Sequence, residues 1–503
     1  MNAALDQTRQ GSRPAGGMTQ GKNPAPSALR DHALASARDH FDSGAFLRDL
    51  ARRVAIRSES QDPAQAGSLH AYLHDEMSPT LAALGFDVAL HDNPLRGTGC
   101  GPFLIARRRE DPALPTVLMY GHGDVIRGQD AAWTKGQGPW RLSQDGDKLY
   151  GRGTADNKGQ HSINIAALQQ VLAARGGRLG FNVTWLIETG EETGSPGLAE
   201  FCSAQHDALA ADVLIASDGP RLRADRPTLF LGTRGVANFD LSLKLRDGAH
   251  HSGNWGGLLR NPGTVLAAAI ASLVDGRGRI LVGALRPPPI PPGVRAALAG
   301  LAVGGGPGDP AVDEHWGEAD QTPIERVLAW NALEVLAMRT GNPDFPVNAI
   351  PDHAKAHLQL RFVVGTPIAQ LRVAVQTHLR EQGFGDIEVS EPVVMAATRL
   401  DPDNPWVRWA MASIEHSTGI APALLPNLGG SLPNDVFAEG LGLPTIWVPH
   451  SYPACSQHAP DEHLLAPLVR QALQLMTGLF WDLGEDAATL PRRQTVLRSK
   501  IKG

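Results

Sequence analysis

The sequence predicts an α/β fold: a mixed, mostly parallel sheet covered by helices, with a smaller α+β domain inserted into it. Three observations lead there. Apolar runs with little polar alternation, such as "TVLMYGHGDV", "FNVTWLIET" and "DVLIASD", alternate with segments whose apolar residues recur every three and four positions. The runs suit strands buried on both faces, and the spacing suits helices. From about residue 226 the texture becomes that of a half-exposed antiparallel sheet, and from about 396 the helix and apolar-strand texture returns.

The opening "MNAALDQTRQGSRPAGGMTQGKNPAPSALRD" is rich in Gly, Pro, Ser and Gln and lacks the apolar core of a secretory signal. A flexible leader over 1–44 is expected. "GAFLRDLARRVAI" and "SLHAYLHDEMSPTLAALGF" read as amphipathic helices. "DNKGQHSINIAALQQVLAARG" reads as a helix with Gly176 near its stop. These segments, with the three apolar strands, place one α/β domain over 45–225 and 396–490. "NPWVRWAMASIEHSTG" and "LGLPTIWVPH" belong to its second part, and 491–503 is left as a tail.

Between them, "PTLFLGTRGVANFDLSLKLRD" reads as an antiparallel strand or hairpin. "NPGTVLAAAIASLVDG" reads as a helix with Pro262 in its first turn. "KAHLQLRFVVG", "IAQLRVAVQTHLREQGF" and "DIEVSEP" follow as strand, helix, strand. Together they make a β-α-β…β-α-β set over 226–395, a small two-layer domain. Inside it, the Pro- and Gly-rich "LRPPPIPPGVRAALAGLAVGGGPGDP" is expected as a surface insertion.

The bulk numbers agree. A chain of 503 residues exceeds one ordinary core. With 42% hydrophobic residues, 19% charged residues and a net charge of −6, it carries no basic stripe for nucleic acid. Its longest strongly apolar run, "VLAAAIASLV", is too short to span a bilayer. Cys100, Cys202 and Cys455 are scattered and odd in number, so they form no disulfide framework and no metal motif. A cytoplasmic location is expected.

The chemistry concentrates where apolar strands end. "VLMYGHGD" ends in His122 and Asp124, which as residues i and i+2 of extended chain share a side. "GRGTADNKGQ" puts Asp156 just before a helix. "WLIETGEETGSPG" brings Glu188, Glu191 and Glu192, "VLIASDGP" brings Asp218, and "SQHAPDEH" brings His458, Asp461, Glu462 and His463. Alone, each has a plain explanation: an N-cap for Asp156, a solvated turn for "GEETG", a turn former for Asp218, a surface or core histidine for His458. Together, at the end of a sheet where α/β proteins bind ligands, they point to a shared cation. Crowded carboxylates stay ionised only against a counter-charge. Two imidazoles with several carboxylates suit zinc, with cobalt or manganese next. One bridging carboxylate, with a histidine and a further carboxylate for each ion, makes a two-metal site.

"GHGDV", "GRGTADNKG", "ETGEETGS", "ASDG", "HHSGNWGG", "GGSLP" and "HAPDEH" stand in the order and spacing of the dinuclear zinc exopeptidase and deacylase family. The chain resembles that family over about 45–485. Its members include carboxypeptidase G, aminoacylase, succinyl-diaminopimelate desuccinylase and carnosinase. The resemblance implies that His122 and Asp218 bind one metal, Asp124 orients His122, and Asp156 bridges both metals. It implies Glu192 and His458 on the second metal, and Glu191 as general base. It makes the inserted domain a ferredoxin-like lid that forms a homodimer and lends His251 of the partner subunit to the active site. Asn348, Arg361, Gly430 and Ser431 fall where relatives hold the substrate; a structural arginine is the alternative for Arg361. A cis peptide at Asp156–Asn157 is expected. Aspartate at 218 and the long insertion look most like the carnosinase-type dipeptidases.

The implied activity is hydrolysis of an amide in a small substrate with a free carboxylate, using two zinc ions, or manganese or cobalt. An N-acyl amino acid deacylase is the first alternative, and a non-catalytic metal-binding scaffold the second. "TGSPG" and "GGSLP" both miss the G-x-S-x-G pattern of a serine hydrolase. "VGGGPG" lacks the flanking strand and helix of a nucleotide loop.

Overall fold

The computed structural model describes residues 26–97, 100–305 and 309–493; the expected leader over 1–25 and most of the tail lie outside them. Residues 26–42, expected within that leader, instead form a helix, Pro26–Asp42. Its small residues Ala33 and Ala37 are fully buried, which lets it lie close against the helices Lys158–Ala174 and Ala466–Glu485. Arg30 binds both carboxylate oxygens of Asp482, at 2.7 and 2.9 Å, and the Ser417 hydroxyl at 2.8 Å. Removing one partner of such a pair strands the other charge, so Arg30→Ala is expected to destabilise the fold by about 3 kcal/mol. Chemical denaturation checks this; unchanged stability would mean that the helix does not belong to the folded unit.

The next helix, Ala45–Val54, buries Phe46, Leu50 and Val54 on one stripe, as its spacing predicts. The expected amphipathic helix after residue 68 runs through two α segments, Ala66–Ala71 and Ser78–Ala83, joined by a π-helical turn over Tyr72–Met77.

Strands follow as β1 (Asp87–His91), β2 (Phe103–Arg108), β3 (Thr116–His122), β4 (Asn182–Glu188), β5 (Val213–Ala216) and β6 (Thr228–Phe230). The smaller domain supplies β7 (Gly235–Lys244), β8 (Ala332–Thr340), β9 (His353–Phe362) and β10 (Glu388–Val389). The chain then returns with β11 (Ala423–Leu425) and β12 (Thr445–Trp447). The large sheet has the order β1-β2-β4-β3-β5-β12-β6-β11. In it β3 is parallel to both β4 and β5, β5 to β12 and β6 to β11. The antiparallel pairs are β1/β2, β2/β4 and β12/β6. Every residue of β4 and β5 is buried, which is why those sequences show no alternation.

Thr228–Phe230 corrects the expected boundary at 226. It pairs with β11 and β12 in the large sheet, and the chain enters the smaller sheet only at Gly235. "PTLFLGTRGVANFD" is therefore two strands of two sheets, and not one hairpin.

The smaller sheet is antiparallel, in the order β8-β9-β7-β10. The helices Pro262–Leu273 and Leu371–Glu381 join β7 to β8 and β9 to β10, which gives the ferredoxin-like arrangement. Alternate burial along β7 and β9 puts Phe239, Leu241, Leu358 and Leu360 into a core with Leu266, Leu273, Val375 and Leu379. The strand β8 is missing from the sequence reading. Most of its residues are exposed, and without an alternating buried face it gives no period-two signal.

The Pro-rich insertion is not confined to the surface. Ile290, Val294 and Leu298 join Phe230, Leu425 and Leu428 in the core of the large domain, while Leu285, at its start, joins the core of the small one. The insertion thus fastens the two domains together.

Candidate metal centre

Because β3, β4 and β5 run parallel and adjacent, their carboxyl ends open at one rim. His122 is the last residue of β3 and pairs in register with Glu188, the last of β4. Asp218 lies just past β5. A Cβ on Gly123 would come within 2.3 Å of the Tyr72 ring, so the residue between His122 and Asp124 has room for glycine alone. Tyr72 in turn hydrogen-bonds the buried His161 of the Lys158–Ala174 helix at 2.5 Å. The π turn that carries Tyr72 therefore bears directly on the end of β3.

Asp156 stands at the centre. Its Oδ1 lies 2.9 Å from His122 Nε2, and its Oδ2 lies 3.0 Å from His458 Nε2. It does not cap the helix that follows. Asn157 holds that position and makes no side-chain cap bond; its amide binds the Ser217 carbonyl at 2.8 Å instead. The Asp156–Asn157 peptide is cis, as the resemblance implies. Asp218 Oδ2 comes within 3.4 Å of His122 Nε2, and Glu192 Oε2 within 3.0 Å of His458 Nε2. Two donor groups result, His122–Asp156–Asp218 and Asp156–Glu192–His458, and within each the donor atoms lie within 4.8 Å of one another.

Asp124 does more than face His122. The imidazole Nδ1 is 3.1 Å from its backbone carbonyl and 3.4 Å from its carboxylate. The carboxylate accepts the backbone N–H groups of Glu191 and Glu192, at 3.2 and 3.1 Å. One residue thus orients His122, chiefly through its carbonyl, and through its carboxylate holds the turn that carries both glutamates. Glu188 supports the same turn from below, accepting bonds from Tyr120 at 2.7 Å and Ser195 at 2.9 Å.

The electrostatics show a site with too much negative charge for its imidazoles. Hydrogen bonds to Asp156 and Glu192 push the His458 pKa up to about 11. Burial opposes protonation of His122, yet the carboxylates of Asp124, Asp156 and Asp218 around it outweigh that and raise it well above the usual value. Burial works against ionisation of Asp156 too, but the two imidazoles hold it well below the usual carboxylate range. Burial, with repulsion from Asp156, pushes Glu192 up to about 7 and raises Asp218. Burial also lifts Glu191 well above its usual range; Asp218, Glu192 and Asp156 add to this while His122 opposes. Asp218 Oδ2 is buried without a hydrogen-bond partner. An orphaned carboxylate oxygen beside an imidazole is a ligand position for a cation, and the mixed nitrogen and oxygen donors fit zinc, manganese or cobalt.

Backbone strain gathers here as well. Ser456, His458 and Asp461 adopt positive φ angles of 57°, 59° and 63°, and Ser195, after the Glu191–Thr193 turn, one of 52°. Such conformations are uncommon for residues with a side chain and cluster at functional sites.

The remaining expected residues divide into two sets. Arg361 Nη1 donates to Ser431 Oγ at 3.0 Å, and Ser431 donates to the Arg234 carbonyl at 2.7 Å. Arg361 therefore meets Ser431 across the domain junction and, among the described residues, pairs with no carboxylate. Gly430, the neighbour of Ser431, is exposed. His251 and Asn348 form a second, exposed patch on the small domain. Strand residues His250–His251 pair with Ala349–Ile350, and Ser252 N–H binds the Asn348 carbonyl at 2.9 Å. Within one chain, no hydrogen bond or ion pair among the described residues joins His251 to either donor group. Sequence reasoning gave no role to Gln457, whose amide lies 2.5 Å from Asp156 Oδ2. A glutamine beside His458 carries no metal-ligand signal; only its nearness to Asp156 reveals it.

The α/β sheet with its ferredoxin-like insertion thus opens onto two imidazole–carboxylate groups that share one aspartate. The chain belongs to Peptidase family M20/M25/M40, whose model matches residues 118–482. It is 36% identical over 261 residues to the Beta-Ala-His dipeptidase of Mus musculus, covering 47% of this chain and 50% of that one. The match thus spans half the length of the mouse relative. It is 27% identical over 385 residues to the cysteinylglycine-S-conjugate dipeptidase of Corynebacterium striatum, covering 72% of this chain and 80% of the relative. Its fold matches the crystal structure of human carnosine dipeptidase 1 with a TM-score of 0.71 at 24% identity, over 92% of this chain and 99% of that one. Among the described residues, no helix is long and apolar enough to cross a membrane.

Proposed function

We propose that this protein is a two-metal dipeptidase that hydrolyses the peptide bond of a small substrate with a free carboxylate. The observation that carries the reading is Asp156, which turns one oxygen to His122 and the other to His458. His122 and Asp218 would hold one ion, Glu192 and His458 the other, and Asp156 both. Zinc is the ion that the donor set suits best, with manganese or cobalt as substitutes. When bound, two such ions acidify a water and polarise the carbonyl under attack.

The chain's own groups do the rest. Glu191 shares its turn with Glu192 but diverges from it, and its carboxylate accepts no hydrogen bond among the described residues. It is free to take the proton of the attacking water and return it to the leaving nitrogen. Arg361, with a planar fork and no carboxylate partner, would receive the substrate carboxylate beside Ser431 and Gly430. The two relatives named above are dipeptidases by description, which favours a dipeptide over an N-acyl amino acid.

His251 and Asn348 would act across a homodimer. Around them the small domain exposes Trp255, Leu258, Phe345 and Val347, and along β8 Val335, Leu336 and Met338. Exposed apolar residues in this number on one small domain favour a protein contact, and a second copy would cover them. His251 of the partner subunit would then meet the tetrahedral oxyanion. His251→Ala is expected to lower kcat about 100-fold with both metals retained; unchanged kcat would remove it from the site. The three cysteines are free thiols, in keeping with a reducing cytoplasm.

The deciding experiment is metal analysis joined to a substrate panel of dipeptides, N-acetyl amino acids and N-carbamoyl amino acids. Two ions per chain and turnover of dipeptides are expected. Turnover of the acylated compounds alone would favour the deacylase alternative, and no turnover of any panel member with zinc, manganese or cobalt would revive the scaffold.

A further inference from the structure

The two ligands that His458 and Asp156 contribute come from segments 302 residues apart, and something must hold those segments in register. The buried Glu462 lies between them, 1% exposed. Its Oε1 accepts the backbone N–H groups of Gly153, Ala155 and Asp156, at 3.1, 2.8 and 3.1 Å. Its Oε2 accepts Arg152 Nη1 at 2.7 Å, and its backbone carbonyl accepts Gly151 N–H at 3.1 Å. One residue thus binds nearly the whole 151–156 loop that presents Asp156. Its neighbour Asp461 anchors the other side. Asp461 Oδ1 accepts the N–H groups of Thr134 and Lys135, both at 2.8 Å, and its Oδ2 accepts the Thr134 hydroxyl at 2.7 Å. The loop between is closed at its base by His463 N–H on the Cys455 carbonyl at 2.9 Å. Ser456, His458 and Asp461 sit in it at positive φ, a conformation that persists only where surrounding bonds enforce it.

We propose that the consecutive carboxylates Glu462 and Asp461 are positioning residues that fix His458 relative to Asp156, and so set the affinity of the second metal position. The first position shares Asp156 and so feels the 151–156 loop as well, but its other two ligands, His122 and Asp218, come from strand ends elsewhere in the sheet, whereas the second position also takes His458 from the loop these carboxylates anchor. This inference rests on the two-metal reading.

The test is a titration of the metal-free full-length protein with Zn²⁺ or Co²⁺, following stoichiometry and, for cobalt, the visible absorption of each bound ion. Glu462→Gln keeps the volume and one acceptor oxygen, but sets an amide donor against the Arg152 donor. It is expected to weaken the second equivalent by about 10- to 100-fold, the range typical of groups that orient ligands, and the first, which shares only Asp156 with that loop, by clearly less. Asp461→Asn tolerates the left-handed backbone and loses part of its anchor; its second equivalent is expected to weaken about tenfold. If circular dichroism shows Glu462→Gln unfolded, Asp461→Asn decides by itself. Wild-type affinity for both equivalents, or equal weakening of both, overturns the proposal, since a general structural role has no preference between the two positions. A wild-type protein that binds fewer than two equivalents defeats the two-metal reading, and this inference with it.

Discussion

Glu191→Gln is expected to bind two metals with wild-type affinity and lose kcat by about 10²- to 10⁴-fold, the usual contribution of a positioned general base. The substitution keeps the size of the side chain and leaves the main-chain bond from Glu191 N–H to Asp124 intact. The Glu191 carboxylate accepts no hydrogen bond among the described residues and belongs to neither donor group, so the fold and the metals have no reason to respond. What disappears is an oxygen able to take a proton. Steady-state kinetics beside metal analysis decides the matter; normal turnover in a fully loaded variant would end the assignment. A mixing experiment adds a sharper reading. If His251 acts in the neighbouring subunit, Glu191→Gln and His251→Ala chains, each crippled alone, restore one intact site when combined in one dimer. Failure to recover activity from a verified heterodimer would mean that the two residues serve the same chain's site.

Asp156→Ala is expected to abolish the binding of both metals, and activity with them. The reason is geometric: its two oxygens serve two donor groups, so a single substitution removes a ligand from each. His122→Ala and His458→Ala should each weaken one position chiefly, because each imidazole belongs to one group. Losing both metals would also remove the counter-charge for Glu191, Glu192 and Asp218, so the variant should become less stable at neutral pH than the metal-loaded protein. Metal content by elemental analysis is the measurement. Two ions retained at wild-type affinity in Asp156→Ala would refute a shared ligand.

Much of this centre could be read before any coordinates. His122, Glu188 and Asp218 are legible because a buried parallel strand announces itself as an unbroken apolar run, and the polar residue that ends the run must lie at the sheet's rim. The helix behind Asp156 is legible from its spacing. The helix Pro26–Asp42 is not, because its buried stripe is made of alanines, Ala33 and Ala37, whose small size suits close packing but gives little hydrophobic contrast. The strand β8 is hidden for the opposite reason: its apolar side chains are exposed, so they obey no period.

What the sequence determined by itself was therefore the local order: which residues lie in strands or helices, which chemical groups stand at their ends, and a motif order similar to a known family. Only the tertiary structure decided the distances. That Asp156 divides its two oxygens between His122 and His458, that Asp124 holds the Glu191 turn, that Arg361 meets Ser431, and that Glu462 ties the 151–156 loop to the His458 loop all depend on packing between segments far apart in the chain. Periodicity and propensity act over one or two turns of backbone; separations of a few ångströms between remote residues are set by how whole layers pack.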